Sequence, residues 1–215
     1  MQFDILTIFP AIFSSFLKES IFKKAQEKKQ VKVNLHDFRR FAAGRHRTVD
    51  DKPYGGGPGM ILKVEPLYAC LKTIKRKKKT KVIILSAKGK MYDQKIAQRL
   101  SREEQLIFLC GRYEGIDERI KKFADLELSL GPYVTMGGEV AAMVMMESIA
   151  RLIPGVLGKH ISLEEESYSQ NLKYLEYPQY TRPPVFKGAK VPAVLLSGDH
   201  KKIKGWRDKS AKTII

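Results

Sequence analysis

Cysteine and histidine are scarce in this chain of 215 residues, which has two of the former and four of the latter. Cys70 and Cys110 lie far apart among apolar neighbours, so the sequence indicates neither a disulfide framework nor a cysteine-based zinc site. The histidines show no H-E-x-x-H spacing, and no G-x-S-x-G turn accompanies them, which argues against zinc hydrolysis and Ser-His catalysis. We therefore expect a protein of a reducing compartment, the cytoplasm.

Long apolar runs are also missing. No stretch reaches the ~18 uncharged apolar residues that indicate a membrane helix. The N-terminal sequence MQFDILTIFP contains Asp4 and lacks the basic segment of a signal peptide. We expect neither a signal peptide nor a membrane span, and the hydrophobic content of 43% predicts a folded core rather than a disordered basic tail.

Acidic residues are few, because 23 Asp and Glu face 40 Lys and Arg, for a net charge of +17. The excess is uneven: residues 71–100 are strongly basic, whereas residues 101–150 are mildly acidic and apolar. This distribution favours a polyanion held at the periphery and a different task at the centre. The basic run at residues 75–79 is either a contact for nucleic acid or a solvated turn.

Apolar runs and helical periodicity alternate through the first three quarters of the chain. Strands are predicted at 3–9, 31–35, 81–85, 105–110 and 126–130, and helices from Pro10 and at 21–28, 67–75, 92–100, 117–123 and 139–152. Several strands are continuous apolar runs, which are typical of strands buried on both faces. We therefore predict an α/β fold with a parallel sheet and helices on both faces.

Three stretches depart from this alternation: a long loop, a linker and a C-terminal domain. Residues 42–60, which contain the run GGGPG, are predicted to form a long loop. The composition changes near Pro154, so we predict one domain at 1–157, an interdomain linker at 158–173 and a small, mainly helical C-terminal domain at 174–215.

Glycine-rich phosphate motifs are absent, since neither G-x-G-x-x-G after a strand nor G-x-x-x-x-G-K-[ST] occurs. Glycines instead occur in three loops that follow predicted strands, at residues 86–89, 111–115 and 131–138. Ligands of open α/β sheets bind at the carboxyl ends of strands, and glycines there allow the backbone to approach a flat ligand. The loops are therefore either ordinary turns or the walls of a ligand site.

Six strings along the chain closely resemble the bacterial tRNA (guanine-N1)-methyltransferase family of the SPOUT superfamily. They are HRTVDDKPYGGGPGM (46–60), LCGRYEGIDER (109–119), GPYVTMGGEVAAM (131–143), RLIPGVLG (151–158), YPQYTRP (177–183) and VPAVLLSGDH (191–200). The resemblance implies a SPOUT-type sheet with a C-terminal trefoil knot, a rare exception to the rule against knots. It also implies an obligate homodimer that uses S-adenosylmethionine to methylate N1 of the guanine 3′ of the anticodon, position 37 of tRNA. Members of the family depend on Mg²⁺, but no cluster of oxygen ligands in the sequence identifies its site.

The resemblance also carries the methyl-donor pocket of the family onto particular residues. These are Ile84, Leu85, Ser86, Gly111, Tyr113, Glu114, Leu130, Gly131, Tyr133, Thr135, Gly137 and Gly138, with Glu176 as a further carboxylate across the dimer.

Methylation of guanine N1 requires a base to remove the N1 proton and a cation or donor to stabilise charge on O6. The family assigns these roles to an Asp and to an Arg fifteen residues before it. The Arg is matched by Arg151, whereas the Asp position holds Glu166, one methylene longer. Without the resemblance, Arg151 would be read as a surface partner of Glu147, and Ser162 with Glu165 as a capping box that starts a helix.

RNA contact is implied for Tyr180, Thr181, Arg182 and Pro183, and for a basic segment that contains Lys201, Lys202, Trp206 and Arg207. Typical members continue with a further helical stretch after this segment, so we expect a short form whose binding of tRNA relies more on the N-terminal loop and the lysine run. Two alternatives remain open: a knotted methyltransferase that acts on ribose 2′-OH, and a noncatalytic basic RNA-binding protein.

Overall fold

The computed structural model describes residues 1–157, 166–168 and 173–213. The chain divides into two compact units, Met1–Gly158 and Lys159–Ile215. Most of the predicted linker at 158–173, together with the capping box of Ser162 and Glu165, lies outside the described residues.

The first unit contains seven strands, five α-helices and three 3₁₀ helices. The strands are β1 (Gln2–Thr7), β2 (Lys32–Asp37), β3 (Asp50–Asp51), β4 (Ile61–Leu62), β5 (Thr80–Met91), β6 (Gln105–Cys110) and β7 (Leu126–Ser129). The α-helices are α1 (Ser14–Lys18), α2 (Ser20–Glu27), α3 (Val64–Thr73), α4 (Gln94–Leu100) and α5 (Gly138–Ala150). The 3₁₀ helices are Pro10–Phe13, Phe38–Phe41 and Glu118–Phe123.

Five of these strands form a single sheet in the order β2-β1-β6-β5-β7. Every pairing within it is parallel, so all the strands begin at one edge and end at the other. Because β6 lies between β1 and β5 and is buried along its whole length, its sequence QLIFLC is apolar after the first residue. The predicted parallel α/β sheet is confirmed.

Helices cover both faces of the sheet, as predicted. Alternate residues of β5 divide between two cores: Ile83 and Leu85 pack with α2, α4 and α5, while Val82 and Ile84 pack with α3 and the 3₁₀ helices Phe38–Phe41 and Glu118–Phe123. The same alternation places Phe108 in the first core and Leu109 in the second. This division follows from the two-residue period of a strand, and it makes the sheet the shared wall of both cores.

Two local predictions need correction. The segment predicted as a helix at 117–123 is a 3₁₀ helix, in which Asp117 caps the N–H of Arg119 and the bond from Ala124 reaches back only to Lys121. The strand predicted to end at residue 85 resumes after a register shift and pairs with β7 again at Lys90 and Met91. Gly89 permits this close return to β7, because a Cβ on that residue would lie 2.5–2.7 Å from backbone atoms of β7.

The long loop predicted at 42–60 includes one regular piece. β3 within it pairs antiparallel with β4, and the N–H of Lys63 donates to the carbonyl oxygen of Val49 at 2.8 Å. These contacts fold the segment back on itself as a separate two-stranded pair immediately before α3 begins.

The second unit is built from short elements. They are β8 (Tyr174–Leu175), β9 (Val185–Phe186), β10 (Ala189–Lys190), α6 (Ala193–Leu196), α7 (His200–Ser210) and β11 (Lys212–Thr213). β8 pairs antiparallel with β11, and β9 with β10. The Asp199 carboxylate caps α7 by accepting from the N–H groups of Lys201 and Lys202, as expected of an aspartate at a helix start.

None of the described helices has the length and apolar character needed to cross a membrane.

Candidate active site

The carboxyl edge of the parallel sheet carries a cavity of about 200 Å³. Its walls are the bulge after Leu85 of β5, the loop after Cys110 of β6 and the loop after Ser129 of β7. Leu85 pairs with both Cys110 and Leu128, so the three strands bring their following segments to the same place. This is the location at which parallel α/β sheets bind ligands.

Eleven of the thirteen residues predicted to bind the methyl donor line this cavity. They are Ile84, Leu85, Ser86, Gly111, Tyr113, Glu114, Leu130, Tyr133, Thr135, Gly137 and Gly138. Gly131 is not in the lining, but it supports the wall, since the Tyr133 ring occupies the space that a Cβ at Gly131 would need. Glu176 belongs to the second unit.

The second and third loops are bonded to each other through their backbones. The N–H of Gly138 donates to the carbonyl oxygen of Gly111 at 2.9 Å, and Arg112 and Gly137 form an isolated antiparallel bridge. A Cβ on Gly138 would lie 2.9 Å from the Cys110 Cα and 3.0 Å from the Gly111 nitrogen. Glycine is required at this position because α5 begins in direct contact with the end of β6.

The end of the long N-terminal loop also reaches the cavity wall. The N–H of Glu114 donates to the carbonyl oxygen of Met60 at 3.0 Å, and the N–H of Leu62 donates to that of Gly115 at 3.0 Å. A Cβ on Gly59 would collide with the Glu114 side chain. Residues 59–62 therefore fix the backbone beside Glu114, an arrangement that the local sequence pattern did not predict.

A buried ion pair lies beneath the loops, and sequence reasoning assigned no role to either member. The Arg112 Nε lies 2.9 Å from Glu139 Oε2, with the two side chains 19% and 1% exposed. The Thr7 hydroxyl donates to Glu139 Oε1 at 2.7 Å. A signal for the pair was present, because Glu139 is an acidic residue in the first turn of a helix whose next seven residues are apolar, GEVAAMVMMESIA.

Cys110 carries the thiol nearest to this site, and that thiol is unreactive. Burial raises the pKa of the Cys110 thiol well above its ordinary value, and the negative charge of Glu139 raises it further. The thiol therefore stays protonated at neutral pH, and Cys110 supplies packing rather than a nucleophile.

The predicted catalytic residues fall in two places. Arg151 follows α5 directly and is partly buried, and its N–H donates to the carbonyl oxygen of Glu147 at 3.2 Å. Glu166 belongs to the second unit and is partly buried. The hydroxyl of its neighbour Ser167 accepts a hydrogen bond from the Glu176 N–H at 3.1 Å. The two glutamates predicted for the site therefore lie on neighbouring segments of the second unit.

The residues predicted to contact RNA form part of an aromatic and basic surface on the second unit. The Tyr177 and Tyr180 rings lie 6.4 and 6.3 Å from the Trp206 ring, and the Arg207 guanidinium lies 4.8 Å from the centre of Tyr177. Thr181, Arg182 and Pro183 are exposed beside them, and so are Lys201 and Lys202. The Tyr180 ring is exposed and the Tyr177 and Trp206 rings are partly buried. Accessible rings next to cations suit stacked bases and phosphates.

Within residues 1–157, 166–168 and 173–213, no group of three or more His, Cys, Asp or Glu side chains is arranged to hold a metal ion. The structure therefore names no ligands for Mg²⁺.

A parallel α/β sheet with a cavity enclosed by glycine-rich loops at its carboxyl edge defines the class of protein, a ligand-binding α/β domain joined to a basic second unit. Comparison with known proteins identifies the family. Residues 1–214 match the profile of the family described as tRNA (Guanine-1)-methyltransferase TrmD. The chain belongs to this family, which confirms the resemblance drawn from its motifs.

Individual relatives agree with this assignment. A protein named tRNA (guanine-N(1)-)-methyltransferase from Carboxydothermus hydrogenoformans is 52% identical over 98% of this chain and 83% of its own length. Proteins of the same name from Desulfitobacterium hafniense and Geobacter sulfurreducens are each 51% identical over 98% of this chain, covering 80% and 86% of their own lengths.

Proposed function

We propose that the protein transfers a methyl group from S-adenosylmethionine to N1 of guanine in tRNA, at the guanine 3′ of the anticodon, position 37. The observation that carries the proposal is the convergence of eleven predicted donor-site residues on one cavity, in a chain that belongs to the tRNA (guanine-N1)-methyltransferase family. The basic and aromatic surface of the second unit supports an RNA substrate.

The residues around the cavity fit such a donor. Leu85, Leu130 and Ala141 supply apolar wall for a flat base, and the glycines of the second and third loops leave backbone groups accessible beside them. Glu114 lies at the same cavity, where its carboxylate can accept hydrogen bonds from ribose hydroxyls. Tyr113 and Tyr133 are 51% and 57% exposed, so their rings are free to pack against a ligand.

When bound, the donor supplies an electrophilic methyl group on a sulfonium sulfur. Guanine N1 carries a proton at neutral pH that must leave before N1 can attack, and the carboxylate of Glu166 acts as the general base that accepts it. With the donor bound, N1 would form its bond to the methyl carbon as the carbon–sulfur bond breaks, and the neutral thioether S-adenosylhomocysteine would be the leaving group. Negative charge moves toward guanine O6 as the proton leaves. Arg151 donates a hydrogen bond to O6 and stabilises that charge. The family resemblance implies that Glu176 provides a further carboxylate near the donor across the dimer.

The proposal includes the architecture that the family implies: a trefoil knot at the donor site, a homodimer and a cytoplasmic location. Two features support the knot and the homodimer. The second and third loops are bonded to each other rather than only to their own strands. In addition, Val140 and Val144, one turn apart on α5, are 56% and 45% exposed, which leaves an apolar strip on that helix for a second copy to cover.

The direct test is a methyl-transfer assay with the purified chain, labelled S-adenosylmethionine and paired tRNA transcripts that carry G or A at position 37. Nucleoside mass spectrometry should find N1-methylguanosine only with the G transcript. A 2′-O-methylated nucleoside would instead indicate the ribose methyltransferase. Tight tRNA binding without any heat of S-adenosylmethionine binding would indicate the noncatalytic RNA-binding protein.

The role of Glu166 is tested by Glu166→Gln. We expect methyl transfer to fall by about 10²–10⁴-fold, because the amide cannot accept the N1 proton. The affinity for S-adenosylhomocysteine, measured by calorimetry, should stay unchanged. Glu166→Asp, which restores the residue usual in the family, should retain turnover, and Glu104→Gln at an exposed position is the control. Undiminished turnover in Glu166→Gln would remove this residue from the mechanism.

A further inference from the structure

The Arg112–Glu139 pair is placed so that it can control the shape of the cavity. Arg112 lies in the second loop, and Glu139 lies in the first turn of α5, immediately after the third loop. Both loops line the cavity. Because the pair links a side chain of the second loop to a side chain of the helix that follows the third loop, it ties together the segments that form two cavity walls.

The Glu139 carboxylate is held by fixed partners. Its Oε1 accepts from the Thr7 hydroxyl at 2.7 Å and its Oε2 accepts from Arg112 Nε at 2.9 Å. Thr7 is the last residue of β1, so the central region of the sheet anchors the carboxylate. With Glu139 only 1% exposed, these two bonds and its place at the amino end of α5 provide the compensation that a buried charge needs.

The other side of the Arg112 guanidinium faces the third loop. Its Nη1 donates to the carbonyl oxygen of Met136 at 3.4 Å, and its Cζ lies 4.7 Å from the centre of the Phe9 ring. Arginine suits this task because its rigid, planar fork holds two separate nitrogens in fixed directions, Nε toward Glu139 and Nη1 toward Met136, whereas all three donors of lysine diverge from one nitrogen on a flexible stem.

Gly137 gives an independent sign that the loop is fitted to the pair. Its φ of 176° is an extended conformation that any residue adopts, so backbone freedom does not explain a glycine here. The reason is space, because a Cβ on Gly137 would collide with Arg112 Nε and lie 2.7 Å from Glu139 Oε2. The third loop passes directly over the ion pair.

We infer that Arg112 and Glu139 are positioning residues for the methyl-donor site: Glu139, anchored by Thr7, orients Arg112, which holds the third loop against the second. Buried ion pairs are weak contributors to stability compared with apolar residues of similar volume, so a purely structural role would be served as well by such residues. The inference rests on the proposed function for the identity of the ligand, but its effect on the loops does not.

The test uses Arg112→Lys, the neutral double variant Arg112→Met with Glu139→Gln, and Lys81→Met as a control that removes the partly exposed ion pair of Lys81 with Asp125. In the free protein, hydrogen exchange of peptides that cover residues 131–137 should speed up about tenfold in the first two proteins and stay unchanged in the control. Calorimetry should show binding of S-adenosylhomocysteine weakened about tenfold in the same two proteins.

The double variant separates positioning from stability, since it buries no unpaired charge. We expect its unfolding midpoint to lie at the same denaturant concentration as that of the wild type. Wild-type exchange and wild-type affinity in that variant would overturn the inference. Failure of the wild-type protein to bind S-adenosylhomocysteine would contradict the proposed function instead, and the exchange experiment would still decide whether the pair holds the loop.

Discussion

Buried carboxylates occur near both edges of the parallel sheet, Asp4 in the amino half of β1 and Glu139 beyond its carboxyl end. Each is 1% exposed. Asp4 receives four side-chain hydrogen bonds, from Asn34 and His36 at 2.8 Å to one oxygen, and from Gln2 at 2.8 Å and Gln105 at 2.7 Å to the other. Every lone pair of that carboxylate is used, so the network is complete without any ligand.

At the carboxyl edge, by contrast, the polar groups surround a cavity. Glu139 has one donor for each oxygen, and its arginine extends onward to the backbone of a loop. The glycines of the three loops bring backbone groups to the surface of the cavity. The difference teaches that the amino edge is organised to hold strands together, whereas the carboxyl edge keeps hydrogen-bonding groups available for a ligand.

Asp4→Ala tests the first half of this comparison and has the largest expected effect. It leaves the donors of Asn34, His36 and Gln105 without their acceptor, which should lower the free energy of unfolding by about 3–5 kcal/mol. Urea titration followed by circular dichroism measures this loss. Binding of S-adenosylhomocysteine to the folded fraction should remain as in the wild type. A folded Asp4→Ala protein that no longer binds the ligand would break the separation between the two edges.

Gly138→Ala tests the second half. The added methyl would lie 2.9 Å from the Cys110 Cα, so α5 and the third loop must move away from the second loop. We expect binding of S-adenosylhomocysteine to weaken about tenfold and the free energy of unfolding to fall by about 1–3 kcal/mol. Gly205→Ala is the matched control, because a Cβ at Gly205 meets nothing within 4 Å. Equal affinity in both variants would show that the contact of α5 with β6 does not shape the cavity.

The sequence predicts elements well where burial is uniform. The strand at residues 105–110 appears with its predicted bounds, because a run that is apolar on both faces has few alternatives in a parallel sheet. The prediction fails where a tertiary contact decides. Past residue 85, β5 continues with Gly89 so close to the β7 backbone that a side chain has no room there, and the short segment after Asp117 winds as a 3₁₀ helix.

The position of the candidate site follows from similar local information, since glycine-rich loops after parallel strands must meet at one edge. The hydrogen bonds and ion pairs within the site do not follow from such local information. Arg112 and Glu139 are 27 residues apart, and Thr7 and Glu139 are 132 residues apart. Neither partnership leaves a periodic trace, and the same holds for the contact of Gly59 with Glu114. Long-range partners of buried polar groups are therefore the part of the site that the fold alone reveals.

Acid sensitivity provides the smallest and most specific test of the amino edge. Burial alone would raise the pKa of Asp4, but the hydrogen bonds from His36, Gln105, Asn34 and Gln2 outweigh it and lower the pKa below the ordinary value of 3.8. Near that pH the unfolded chain binds more protons at this residue than the folded chain does. The contribution of Asp4 to the free energy of unfolding is thus complete above the ordinary carboxyl value, and it is lost as the pH falls through the lower value of the folded state.

Urea titrations of the wild type and of Asp4→Asn across the acid range isolate this contribution. The wild type should lose stability more steeply below pH 3.8 than the variant, whose amide does not titrate. The effect is smaller than that of Asp4→Ala, because protonation leaves the side chain in place with part of its accepting capacity. Parallel curves of stability against pH for the two proteins would mean that the donors around Asp4 do not favour its charged form. The hydrogen-bond network at the amino edge would then not depend on a charged carboxylate.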